Sequence, residues 1–158
     1  MFFPRNCGGL GDDREDVERR IELGTRNPGQ GTENEAAPRR KGDDIAERLL
    51  DAVEGVRGLL PGLRGDAAAK HVAKQLWRAV TGGGANYEEA RGAESRAHFV
   101  HKVRIATKEL REAHYWLRVV QRSSSVGPGA ADGLVNETDQ LVAILVASAR
   151  TAKSSISS

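Results

Sequence analysis

From Ser95 to Arg122 the apolar residues Phe99, Val103, Ala106, Leu110, Ala113, Leu117 and Val120 recur at alternating steps of four and three. That period is the seam of a helix packed lengthwise against others. Upstream, Asp43 or Asp44 offers an N-cap, and Ile45, Leu49, Val53, Val56 and Leu60 mark one face until Pro61 and Gly62 stop the helix,. Asp66 offers a second cap, and Val72, Leu76 and Val80 follow at steps of four with Ala73 and Trp77 beside them. Gly92 breaks that pattern, Ser95 caps the long central helix, and a Ser, Gly and Pro loop runs from Arg122 to Gly133,. A last helix is expected from about Asp132 to Lys153, facing the core with Leu134, Thr138, Leu141, Leu145, Ala149 and Ala152.

Two helices carry more apolar character than one seam needs. Val135, Val142, Ile144 and Val146 extend it around the last helix, and Ile105, Trp116 and Val119 lie off the central seam. A helix apolar on most sides is buried on more than one side. A homo-oligomer is therefore expected, with Tyr87, Ile105, Trp116, Val119, Val142 and Val146 as interface residues.

Gly82, Gly83 and Gly84 interrupt the second helical stretch. Each costs about 1 kcal/mol against Ala inside a helix. Three readings compete: a phosphate-cradling loop, a break between helices, and close approach of a neighbour to bare backbone. A phosphate loop follows a strand and carries Lys then Ser or Thr, whereas here a helix precedes and Ala85, Asn86, Tyr87, Glu88 and Glu89 follow. A close-packed or kinked helix running to about Arg91 is the favoured reading.

From Met1 to about Gly42 the chain is rich in Gly, Pro, Asn, Asp, Glu and Arg without a sustained apolar period, which is the composition of disorder,. The organisation expected is a disordered extension over 1–42, a bundle over 43–153 and a polar tail over 154–158. The single Cys7 excludes an intramolecular disulfide and fits a reducing cytoplasm,. The longest apolar run, Leu141 to Ala147, is far shorter than the roughly 20 residues of a membrane-spanning helix,.

The formal net charge of +2 announces no nucleic-acid protein by itself, so the distribution of charge decides,. Between Ser95 and Arg122 seven Lys or Arg stand against two acids, while Asp43 to Arg57 holds five acids against two Arg. Arg104, Arg111 and Arg118 are seven apart, with His101 and Lys108 on the neighbouring row, opposite the apolar seam,. Such a stripe is spaced to follow a phosphate backbone; the plain alternative is a solvated or intersubunit face. Glu94, His98 and His101 have one-turn ligand spacing and His114 lies further along, but no second His or Cys cluster completes a metal site,. No metal, no cofactor and no catalytic residue is expected.

The stretches Gln75 to Ala90, QLWRAVTGGGANYEEA, and Phe99 to Leu117, FVHKVRIATKELREAHYWL, resemble the family of 23S rRNA intervening-sequence proteins. Asn86, Tyr87, Glu88, Ala90, Phe99, Lys102, Lys108, Glu109, Glu112, Tyr115, Trp116 and Leu117 stand where that family's pattern has them, and Leu141 to Lys153 is similar as well. The likeness covers about Asp43 to Lys153. It implies an all-α, antiparallel up-down four-helix bundle that assembles as a homopentamer without established catalysis. It also implies relatedness to the accessory protein of diversity-generating retroelements, a basic pentamer that binds a reverse transcriptase and nucleic acid. Gly82 and Gly83 depart from the family pattern, which has Ser and a branched apolar residue before Gly84. The extension before Asp43 has no counterpart. The function expected is a nucleic-acid-binding accessory, RNA or DNA, or else a scaffold for a protein partner such as a reverse transcriptase.

Overall fold

A computed structural model of the chain describes residues 40–154. The expected extension lies outside the described residues up to position 39, and the polar tail from position 155. Within them the chain forms α1 (Asp43–Leu59), a 3-10 turn (Leu60–Arg64), α2 (Ala67–Arg91), α3 (Arg96–Gln121) and α4 (Asp132–Ser154). Each helix packs against its neighbour in sequence and α1 closes the square on α4, so α1 with α3 and α2 with α4 are the diagonals. Cross-helix contacts fix the directions. Arg78 meets Glu112 between α2 and α3, His114 meets Thr138 between α3 and α4, and Arg48 meets both Glu137 and Gln140 between α1 and α4. Glu89 meets Lys102 as well, Arg104 to Arg111 share a groove with Arg150 and Lys153, and a Cβ on Gly55 would meet Leu134, so along each of these helix pairs one number rises as the other falls, which makes an antiparallel up-down four-helix bundle,.

The caps are mostly those the sequence offers. Asp66 accepts from the Ala69 amide at 2.7 Å and Ser95 from the His98 amide at 3.1 Å. Each satisfies one of the amides a helix start leaves unpaired. The first helix differs. Its N-cap is Gly42 at φ 87°, with no side-chain cap, and Asp43 and Asp44 fall inside the first turn, where their charge suits the helix dipole,. Asp43 instead pairs with Arg91 at the end of α2. Its carboxylate thereby ties α1 to another helix through one oxygen, while the other accepts from the Arg40 amide.

Of the central seam, Val103, Ala106, Leu110, Ala113, Leu117 and Val120 are fully buried, and Phe99 packs half-buried at the margin. From α4 come Thr138, Leu141, Leu145 and Ala149, with Leu134 half-buried at the edge. In α1 the deepest line is Ala46, Leu49, Ala52, Val56 and Leu59, turned slightly from the expected face so that Ile45, Val53 and Leu60 sit at its rim. The two buried hydroxyls are satisfied within their own helices, Thr107 to Val103 O at 2.7 Å and Thr138 to Leu134 O at 2.8 Å,.

The second helix is continuous through the glycines. The reason is contact with α3. A Cβ at Gly83 would lie 2.9 Å from Leu110 Cδ2 and Cγ, and one at Gly82 3.1 Å from Glu109 Oε2, whereas Gly84 faces open space. Tight packing thus holds at the point where the chain departs from the family pattern. Asn86 Nδ2 donates to Gly82 O at 2.9 Å, which steadies the same turn.

Candidate nucleic-acid interface

The helical period of α3 puts its basic residues on the outer face. His101, Arg104, Lys108, Arg111 and Arg118 are all exposed, on the side opposite Val103, Leu110 and Leu117. At about 1.5 Å of rise per residue, Arg104 to Arg118 spans roughly 21 Å.

Antiparallel packing of α4 adds what one helix alone does not show. A groove of about 380 Å³ runs between the two helices, with Arg104, Lys108 and Arg111 on one wall and Arg150 and Lys153 on the other. Thr107, Val146 and Ala149 complete its lining, and no carboxylate borders it. The expected site residues Arg104, Lys108 and Arg111 are therefore brought together, while His101 and Arg118 lie along the same face beyond its ends. Arg150 and Lys153 were not expected there. Their spacing from Val146, four and then three, is the signal that places them on one α4 face,.

The charge pattern is selective. Arg48 pairs with Glu137, Arg57 with Glu54, Arg78 with Glu112, Arg91 with Asp43 and Glu88, and Lys102 with Glu89. Lys102 draws the Glu89 carboxyl below its ordinary value, chiefly through that hydrogen bond,. Among the described residues no acid lies within 4 Å of Arg104, Lys108, Arg111, Arg118, Arg150 or Lys153. Cations left without partners on one face form a surface of positive potential that attracts polyanions.

The expected interface residues divide. Ile105, Trp116, Val119, Val142 and Val146 are half-buried along α3 and α4, with Trp116 and Val142 packed against the core. Tyr87 is not available to a second subunit. It is 4% exposed, inside the bundle, with its hydroxyl donating to Gly42 O at 3.3 Å. Burial pushes its phenol up from the ordinary value,.

A second cleft of about 1050 Å³ opens where α1 begins and α4 ends. Its charges are mixed, Arg40, Lys41, Arg91 and Arg96 against Asp44 and Glu88, and Arg91 is already held by two carboxylates. Among the described residues no three of His, Cys, Asp and Glu converge to hold a metal ion. His98 and His101 are exposed, and the His114 ring is engaged by Val135 O and Thr138 Oγ1. No helix among the described residues is long and apolar enough to cross a membrane.

Comparison with known proteins agrees with the fold. No curated protein matches the chain. A crystal structure of a protein of unknown function from the S23 ribosomal protein family of Bacteroides thetaiotaomicron superposes with a TM-score of 0.58 at 27% identity, over 65% of this chain and 95% of that one. The model of the 23S rRNA-intervening sequence protein family matches residues 64–147, more than half of the chain and the stretch that holds α2, α3 and most of α4, so the chain belongs to that family.

Proposed function

We propose that the protein is a non-enzymatic, homo-oligomeric bundle that binds nucleic acid through the outer face of α3 and its groove with α4. One observation carries this reading: five cations from two helices border one groove, without a carboxylate among its lining residues. Such a surface neutralises phosphates and reads no sequence, so affinity depends steeply on salt. The half-buried apolar residues of α3 and α4 outside the groove, Ile105, Val119 and Val142 among them, support the oligomer,. The lone Cys7 supports action in a reducing cytoplasm,.

The test is fluorescence anisotropy of labelled RNA and DNA with the full chain across a salt series, with mass measured by sedimentation in the same buffers. Binding should weaken with a log–log slope of about −3.5 if five phosphates are neutralised on a single strand. Reversing Arg104, Arg111 and Arg118 to Glu should abolish binding with helicity intact. Binding that survives this reversal overturns the site. Absence of binding at low salt moves the function to a scaffold for a protein partner, such as a reverse transcriptase. A stable monomer near 17.0 kDa overturns the oligomer.

A further inference from the structure

Resting on the nucleic-acid reading above, we infer that the ligand is single-stranded and that an unpaired base stacks on Tyr115. Two observations carry the inference, one new and one drawn from the shape of the same groove. The first is the place of Tyr115 itself. It lies four residues after Arg111 and three before Arg118, on the same outer row of α3, and is 58% exposed. Its neighbour Trp116 touches it edge-on, with ring centroids 5.0 Å apart and planes at 72°. Trp116 is itself fixed, by its Nε1 donating to Glu112 Oε1 at 3.4 Å and by an edge contact to His71 at 5.8 Å. The exposed ring is thus backed by an anchored one, in the midst of a cationic row.

The second observation is the shape of the basic surface. Its cations stand on two facing walls, Arg104, Lys108 and Arg111 across from Arg150 and Lys153, with Thr107, Val146 and Ala149 among them. A groove along two touching helices offers a single backbone charge on both sides,. A duplex presents its phosphates outward on a convex cylinder and keeps its bases stacked within. Tyr115 would meet only sugar and phosphate there. A cationic groove that tracks one backbone, followed by an aromatic ring that takes a base face, is the arrangement of single-strand binders. Every base offers a π-face, so sequence preference is weak.

The experiment uses the full chain and a mixed-sequence RNA of roughly 12 nucleotides, within the range of known single-strand site sizes. The same sequence closed as a hairpin duplex serves as the competitor. Tyr115→Leu keeps apolar bulk without a π-face, and Tyr115→Phe keeps the ring. We expect the single strand to bind the wild type more tightly than the duplex does, and Tyr115→Leu to weaken it about tenfold. Duplex affinity should stay within about twofold, and Tyr115→Phe should bind as the wild type does. Equal losses on both ligands, or no loss on the single strand, overturn the stacking role while leaving the basic groove standing. Failure of the wild type to bind either ligand at low salt removes the nucleic-acid reading itself, and is distinguishable from both.

Discussion

Gly83 of α2 lies directly under Leu110 of α3, where a Cβ would come within 2.9 Å of two carbons of a side chain that is fully buried. Leu110 has no room to yield, so Gly83→Ala gains about 1 kcal/mol of helix propensity and loses more to overpacking, about 1–3 kcal/mol. Gly84 meets nothing within 4 Å. Gly84→Ala should therefore raise stability by about 1 kcal/mol. Urea melts of the two variants should shift in opposite directions, and a stabilised Gly83→Ala would show that the helices can part at this point.

Gly42 and Tyr87 hold the start of α1 to the end of α2. Tyr87→Phe removes the hydroxyl that donates to Gly42 O, at a cost of about 1 kcal/mol at neutral pH,. The advantage shrinks in alkali. Burial raises the Tyr87 pKa above its ordinary 10.0, and a group raised on folding contributes stability below its unfolded value and loses it as pH rises through the folded one,. The wild type should lose stability above about pH 10 more steeply than Tyr87→Phe does. Thermal melts at neutral and alkaline pH decide it, and a pH-independent gap between the two would remove the phenol's proton as the cause.

Asp66→Ala and Ser95→Ala should each cost about 1 kcal/mol, because each leaves a first-turn amide unpaired at the start of α2 or α3,. The two caps sit at opposite ends of the 25-residue α2, so their effects should add in the double variant,. Asp66→Asn keeps an accepting oxygen and should retain most of the stability. Circular dichroism melts of the three single variants and the double variant give the comparison.

Arg48 bridges α1 to α4 through Glu137 at 2.7 Å and Gln140 at 3.0 Å, at a partly covered seam. Arg48→Ala should cost about 1 kcal/mol, combining a lost ion pair with lost stem packing. Raising salt should shrink that difference, and a salt-independent loss would assign it to packing alone.

The central helix was legible because every turn of α3 supplies an apolar residue to one seam, from Val103 to Val120. The same rule failed at Tyr87 for a local reason. Its inward line runs Val80, Gly83, Tyr87 and Ala90, and a glycine in that line carries no apolar signal, so the seam vanishes from view one turn before the tyrosine. The cap expected at Asp43 or Asp44 falls instead on Gly42, whose left-handed backbone starts the helix without a side chain, while Asp43 inside the first turn pairs with Arg91, 48 positions away, a contact no local pattern encodes. The candidate site was half legible. Periodicity gives the row on α3, but Arg150 and Lys153 join it only through the pairing of α3 with α4, a relation between faces of two helices.

The up-down order also fixes where the described chain enters and leaves. Lys41 and Gly42, just before α1, border the same cleft as Thr151 and Ala152 near the end of α4. At the other pole a Cβ on Gly62 would come within 2.9 Å of Ser125 O, so the α1–α2 and α3–α4 connections meet there. The backbone of the bundle is nearly a closed circuit. A short Gly and Ser linker joining the two ends, with the chain reopened between Ser123 and Ala130, yields a circular permutant with the same four helices in the order α4, α1, α2, α3. In that permutant α3 and α4 become the two most distant helices in sequence while remaining partners across one groove.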